Sequence, residues 1–177
     1  LEKITTLSNK KIKDTAKLTQ KKYREEFGLF LVEGFKTVEA ACKFNYQIEE
    51  IFVLEKKKEK YFDFSKNIII VSQDVMKKIT TTDTIPEAVA VVSMKKQDIS
   101  CLINKNKLLL LENVKDAGNL GTILRSANAF GIEGIIFCGD CVDIFNPKVI
   151  RAGVGTSFIL PFVKTNVEEV KKNFNEF

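Results

Sequence analysis

Residues 108–138 read LLLLENVKDAGNLGTILRSANAFGIEGIIFC. One apolar run opens the stretch and another, GIIFC (134–138), closes it. LLLLE (108–112) is apolar on both faces, the pattern of a central strand in a parallel sheet. Spacing predicts a helix over 118–130. At 3.6 residues per turn, Leu120, Ile123, Leu124, Ala127 and Phe130 form one stripe expected to pack on the sheet. Arg125 lies almost opposite, beside Gly118, Gly121, Thr122, Asn128 and Ala129, none large enough to cover it. A solvated arginine on an outer face is the plainer reading of that residue alone. Its setting adds to this. The preceding loop sits at the C-terminal end of a parallel strand, where open α/β sheets bind ligands. Its glycines permit close backbone approach, and a helix N-terminus offers free N–H groups to an anion. Asn119 stands at that helix start, either as an N-cap or as a functional amide.

Downstream the alternation continues. After GIIFC come the loop GDCVDIF (139–145), a short helix in NPKVIRAGVG (146–155), a strand SFILPF (157–162) and a polar helix VEEVKKNFNEF (167–177). This β-α-β-α-β-α order is half of a Rossmann-like sheet. Asn146 and Pro147 form a helix start. Lys148 and Arg151 are three apart and share a face. Such a pair can hold phosphates or simply be solvated. Both crossover loops are expected to open on the same rim.

Upstream, SNKKIKDTAKLTQKKYREEF (8–27) reads as a basic amphipathic helix capped by Ser8 or Asn9. Strands are expected at LFLVE (29–33), IFVL (51–54), NIIIV (67–71) and EAVAVVSM (87–94), with helices at FKTVEAACKF (35–44) and QDVMKKIT (73–80), the latter capped by Ser72. KKKEK (56–60) is a charged surface segment. The pattern breaks at KKQDISCLINKN (95–106). The expected organisation is a small α/β domain over 1–95, a linker over 96–106 and a parallel-sheet domain from 107. Residues 1–95 carry 18 Lys and Arg against 14 Asp and Glu, and the remainder 10 against 9, so the basic excess lies in the first domain.

Composition excludes several chemistries. The chain has 177 residues and no histidine, which removes Ser-His-Asp and Cys-His hydrolases, His-ligated metals and His bases. The net charge of +5 suits a polyanionic partner. Neither G-x-x-x-x-G-K-[ST] nor G-x-G-x-x-G occurs. Cys138-Gly-Asp-Cys141 is a lone C-x-x-C, short of the four ligands a structural zinc takes, and reads as incidental. No metal is expected. No apolar run approaches the roughly 20 residues of a membrane helix, and LEKITTLSNKKIK at the N-terminus lacks the apolar segment of a signal peptide. A cytoplasmic location is expected.

LLLLENVKDAGNLGTILRSANAFG resembles the first motif of the SpoU/TrmH RNA ribose 2′-O-methyltransferases, and FNPKVIRAGVGTSFILPF resembles the second. ITTLSNKKIKDTAKLTQKKYREEFGLFLVEGFKTVEAA is similar to the substrate-binding domain that many members carry, in particular those acting on ribosomal RNA. The resemblance implies a SPOUT fold, an α/β domain tied in a trefoil knot, behind an RNA-binding domain like those of ribosomal proteins. It implies S-adenosylmethionine as methyl donor and RNA, ribosomal rather than transfer, as substrate. It places the catalytic arginine at Arg125 and the motif-one asparagine at Asn119. Asn146, Lys148 and Arg151 would border the RNA and the dimer interface, since a homodimer is implied for the intact protein. Gly153 departs from the pattern, since a serine is common there. The family's third motif, with most of the cofactor pocket and the knot, is expected beyond Phe177. The 177 residues alone are therefore expected to be inactive, binding the cofactor poorly. An arginine is fixed in its charged form, so orientation and electrostatic stabilisation of a developing alkoxide suit Arg125 better than a base role. The residues also leave open a non-catalytic RNA-binding module and a dinucleotide-binding enzyme.

Overall fold

The structure, a computed structural model, describes residues 1–174. Its strands are β1 (Glu2–Ile4), β2 (Leu29–Glu33), β3 (Ile48–Leu54), β4 (Ile68–Val71), β5 (Ala88–Ser93), β6 (Leu108–Glu112), β7 (Gly134–Cys138) and β8 (Phe162–Thr165). Its α-helices are α1 (Lys10–Lys17), α2 (Lys21–Phe27), α3 (Phe35–Lys43), α4 (Gln73–Ile79), α5 (Ala117–Ala129), α6 (Pro147–Gly153) and α7 (Val167–Asn173). Two sheets form. The first is mixed, in the order β1-β4-β3-β5-β2, and the second is parallel, β6-β7-β8.

Strand alternation sorts the side chains of the first sheet onto two faces. Leu31, Phe52, Ile69, Val89 and Val91 meet Ile12 and Leu18 from the α1 side and Val75, Met76 and Ile79 of α4. Phe30, Val32, Ile51, Val53, Ala90 and Val92 face the other way, into a core shared with the second sheet. There they join Leu120 and Leu124 of α5, Ile135 and Phe137 of β7, and Val149 and Ile150 of α6. The rings of Phe30 and Phe145 are 4.5 Å apart at their centroids, and Tyr46 and Phe158 5.0 Å. The far face of β7, with Ile136 and Cys138, packs on Leu102, Val163 and Val170. Helices α5 and α6 lie side by side on one face of the parallel sheet.

Several expectations change. The basic helix over 8–27 is two helices. Asn9 caps α1, and the chain breaks at residues 18–20 because Arg24 Nη1 takes the carbonyls of Leu18 and Thr19, both at 2.9 Å. The central strand of the second sheet is β7, buried at every position, whereas β6 is an edge and Leu110 is 36% exposed. The strand expected over 157–162 is a 3-10 helix, Thr156–Phe158, and β8 begins only past Pro161. That proline has no N–H for the ladder, but its carbonyl accepts from Ile135 N at 2.9 Å. Phe130, expected in the buried stripe, lies past the last helical residue and is 79% exposed. The helix expected to reach Phe177 ends at Asn173, and residues 175–177 lie outside the described residues. Within the expected linker a 3-10 helix, Ile99–Leu102, buries Leu102 under the parallel sheet.

Two contacts set how the parts fit. Arg24, 1% exposed, donates from Nε to Asp143 Oδ2 at 2.8 Å and holds Nη2 2.7 Å from the same oxygen in an ion pair, joining α2 to the loop after β7. Gly121 lies against α6. A Cβ there would come within 2.8 Å of Gly153 N and closer still to Ala152 Cβ. Its place is thus on the packed flank of α5, not the open side expected from the wheel. Arg24→Met should lower unfolding free energy by about 3–5 kcal/mol, because the Asp143 carboxylate, only 13% exposed, loses its partner. Adding Asp143→Leu should recover part of that loss in the same denaturation assay. Gly121→Ala should destabilise by about 1–3 kcal/mol through overpacking, despite alanine's better helix propensity. An unchanged melting temperature would show that α5 and α6 can part freely.

Candidate nucleic-acid interface

The rim at the C-terminal ends of β6 and β7 is built from two loops bound to each other. Asn113 Oδ1 accepts from Asp140 N at 2.9 Å, and Val142 N donates to Val114 O at 2.8 Å. Gly139 has φ of +64° and would drive a Cβ into the Asn113 side chain, so this joint requires glycine. Asp116 closes the first loop by capping α5, accepting from Asn119 N at 2.7 Å. The N-cap is therefore Asp116. Asn119 lies one turn in, with its side chain exposed. Asn146 caps α6 as expected, accepting from Lys148 N at 2.9 Å.

Lys21, Arg24, Lys115, Asp140, Asp143 and Asn146 line a polar cleft where α2 meets this rim. Lys21 and Lys115 are cations that the sequence reading did not select. Lys115 sits inside the quoted 108–138 stretch, beside the capping aspartate. Lys21 had no local signal, because only the fold brings α2 to the rim.

The expected constellation is partly assembled. Arg125 is exposed on α5, four residues past Gly121 and so on the flank that adjoins α6. Lys148 is exposed on the first turn of α6. Among the described residues neither makes an ion pair. Arg151 turns elsewhere. Its Nη1 donates to Glu33 Oε2 at 2.9 Å and to Thr81 Oγ1 at 2.7 Å, both in the first domain. Gly153, in place of the common serine, is buried near Thr156 and Ser157.

The thiols of the C-x-x-C pair face different cores. Cys138 packs with Leu102 and Val170, and Cys141 with Phe137 and Phe145. Burial pushes the Cys138 thiol up, with Glu112 adding to the effect. It is not an activated nucleophile. Among the described residues no group of three or more His, Cys, Asp or Glu is placed to hold a metal, and no helix is long and apolar enough to cross a membrane.

Residues 9–90 match the MRM3-like substrate binding domain and residues 106–177 the SpoU rRNA Methylase family. The chain is 32% identical over 176 residues to the 23S rRNA (guanosine(2553)-2′-O)-methyltransferase RlmP of Bacillus subtilis, covering 97% of this chain and 70% of that protein. It is 30% identical over 162 residues to the human mitochondrial rRNA methyltransferase 3, covering 86% of this chain and 39% of that protein. An AdoMet-bound rRNA methyltransferase from Sinorhizobium meliloti superposes with a TM-score of 0.85 at 30% identity, over 97% of this chain and 67% of that one. With both halves matched and the fold shared throughout, the chain belongs to the SpoU/TrmH family of RNA 2′-O-methyltransferases, whose methyl donor is S-adenosylmethionine.

Proposed function

We propose that these residues form the RNA-binding and catalytic parts of an enzyme that methylates a ribose 2′-hydroxyl of ribosomal RNA. The substrate-binding domain would span 1–95, the linker 96–106, and the methyltransferase domain the residues from 107. The observation that carries the reading is Arg125, an exposed guanidinium with no carboxylate partner among the described residues, set beside α6 in a sequence otherwise small or apolar. Ribosomal RNA is favoured over transfer RNA by the names of the relatives on both halves of the chain.

S-adenosylmethionine supplies an electrophilic methyl group on a sulfonium. The cations of the rim cleft are already paired: Arg24 is spent on Asp143, Lys115 lies 3.4 Å from Asp140 and Lys21 3.8 Å from Glu25. We assign the RNA backbone instead to exposed Lys148, which has no carboxylate partner among the described residues, with Asn146 alongside. Arg125 would orient the ribose hydroxyl and stabilise the alkoxide that develops as its proton passes to water, while the oxygen takes the methyl carbon and the sulfonium C–S bond breaks to leave a neutral thioether. It holds its own charge throughout. Asn119, six residues earlier on α5 and also exposed, offers an amide to the RNA. A homodimer and a cytoplasmic location belong to the same proposal. Phe130, 79% exposed beside Leu109 and Ile123, supports self-association. Sedimentation equilibrium of the full-length protein checks this, and a monomer at all concentrations would end it.

The full-length protein, given labelled S-adenosylmethionine and ribosomal RNA fragments, should place the label on ribose. The mark of that product is a phosphodiester resistant to alkali, since its 2′-oxygen is blocked. Arg125→Ala should cut turnover by about 10²–10³-fold while leaving RNA affinity nearly unchanged. Lost affinity with intact turnover would make Arg125 a binding residue only. Lys148→Ala should weaken RNA binding and flatten its salt dependence by about 0.7 in the log–log slope, one phosphate's share on a single strand.

A further inference from the structure

Helix α6 has seven residues, too few to hold itself in water. What fixes its two ends therefore decides where Lys148 points. Both anchors come from the substrate-binding domain. Just before its N-terminus, Asp143 is gripped by Arg24 of α2 and also accepts from Phe145 N at 2.9 Å. In its last turn, Arg151 is gripped by Glu33, the final residue of β2.

Glu33 is almost wholly buried, its side chain only 2% exposed. Its two oxygens have separate tasks. Oε1 accepts from Thr81 N at 3.0 Å and Thr81 Oγ1 at 3.1 Å. Oε2 accepts from Arg151 Nη1, which also reaches Thr81 Oγ1. Residues Glu33, Thr81 and Arg151 thus close a triangle of charge-assisted bonds across the domain junction. From Arg151 the path continues by contact. Ala152 and Gly153 abut Gly121 of α5, and Arg125 follows Gly121 by one helical turn.

We propose that Glu33 is a positioning residue for methyl transfer. By holding Arg151 it fixes the register of α6 against α5, and so the placement of Arg125 relative to Lys148. The substrate-binding domain then shapes the catalytic site by direct contact as well as by holding RNA. Arg151 serves the protein rather than a phosphate, which the adjacent Glu33 carboxylate would repel. This role rests on the methyltransferase reading given above.

The test uses the full-length protein with Glu33→Gln, Arg151→Gln and the double variant. Glutamine keeps the size of each side chain, and Thr81→Val supplies a milder break if either single variant folds poorly. Each single variant should lower kcat about tenfold, the loss expected from one charge-assisted hydrogen bond. KM for RNA and its salt slope should not change, and the double variant should be no slower than the worse single one. Hydrogen exchange of the α6 amides should quicken in step, while β3 and β4 stay protected. A shallower salt slope for Arg151→Gln, with normal kcat in Glu33→Gln, would make Arg151 a phosphate contact and overturn the proposal. Unchanged α6 exchange would overturn it as well. If the unaltered protein transfers no methyl group, the methyltransferase reading fails, and α6 exchange still decides whether the anchor exists.

Discussion

The buried pair of Arg24 and Asp143 is the contact on which the arrangement of the two sheets depends. Taking two charges out of water costs several kcal/mol per ion, and only close geometry with further hydrogen bonds offsets that. Here the guanidinium spends two nitrogens on Asp143 and the third on the carbonyls of Leu18 and Thr19. The surrounding apolar contacts, such as Phe30 on Phe145, favour association but tolerate sliding. A pair that must be met at both ends does not. It sets the angle at which α2 meets the rim, and so brings Lys21 to Lys115 and Asn146.

Much of the fold is legible from local pattern. Runs such as LFLVE, NIIIV and GIIFC are strands because short apolar stretches between turn residues have few alternatives. The failures have more than one cause. Arg24 claims the carbonyls of Leu18 and Thr19 from a few residues on, but it is held in place by Asp143, which lies far along the chain and gives no local signal. Pro161 could have warned against a strand running through it, because the missing N–H is a local fact. LLLLE has the composition of a central strand, yet β7 takes that place among the described strands.

The site divides in the same way. Arg125 stands out in sequence because its neighbours are too small to cover it, and it is exposed. Asn119 and Asp116 are both good caps, and spacing alone cannot choose between them. The structure gives the role to Asp116, which satisfies the Asn119 amide. Lys148 and Arg151 share a face by the three-residue rule, but a side chain as long as arginine can turn off that face when a buried carboxylate waits nearby. Glu33 closes a strand otherwise made of apolar residues, and that placement was the one hint available.

The shared core also bears on how the molecule is made. The mixed sheet is complete once Ser93 has been synthesised, but the face carrying Phe30, Val32 and Val92 is covered only when Phe145, Val149 and Phe158 arrive. At roughly 5–20 residues per second, some sixty further residues take about 3–12 s. Through that interval the emerging first half shows the ribosome's surroundings an oily wall. A chaperone that shields aromatic surface would thus act on this nascent chain before its second sheet exists.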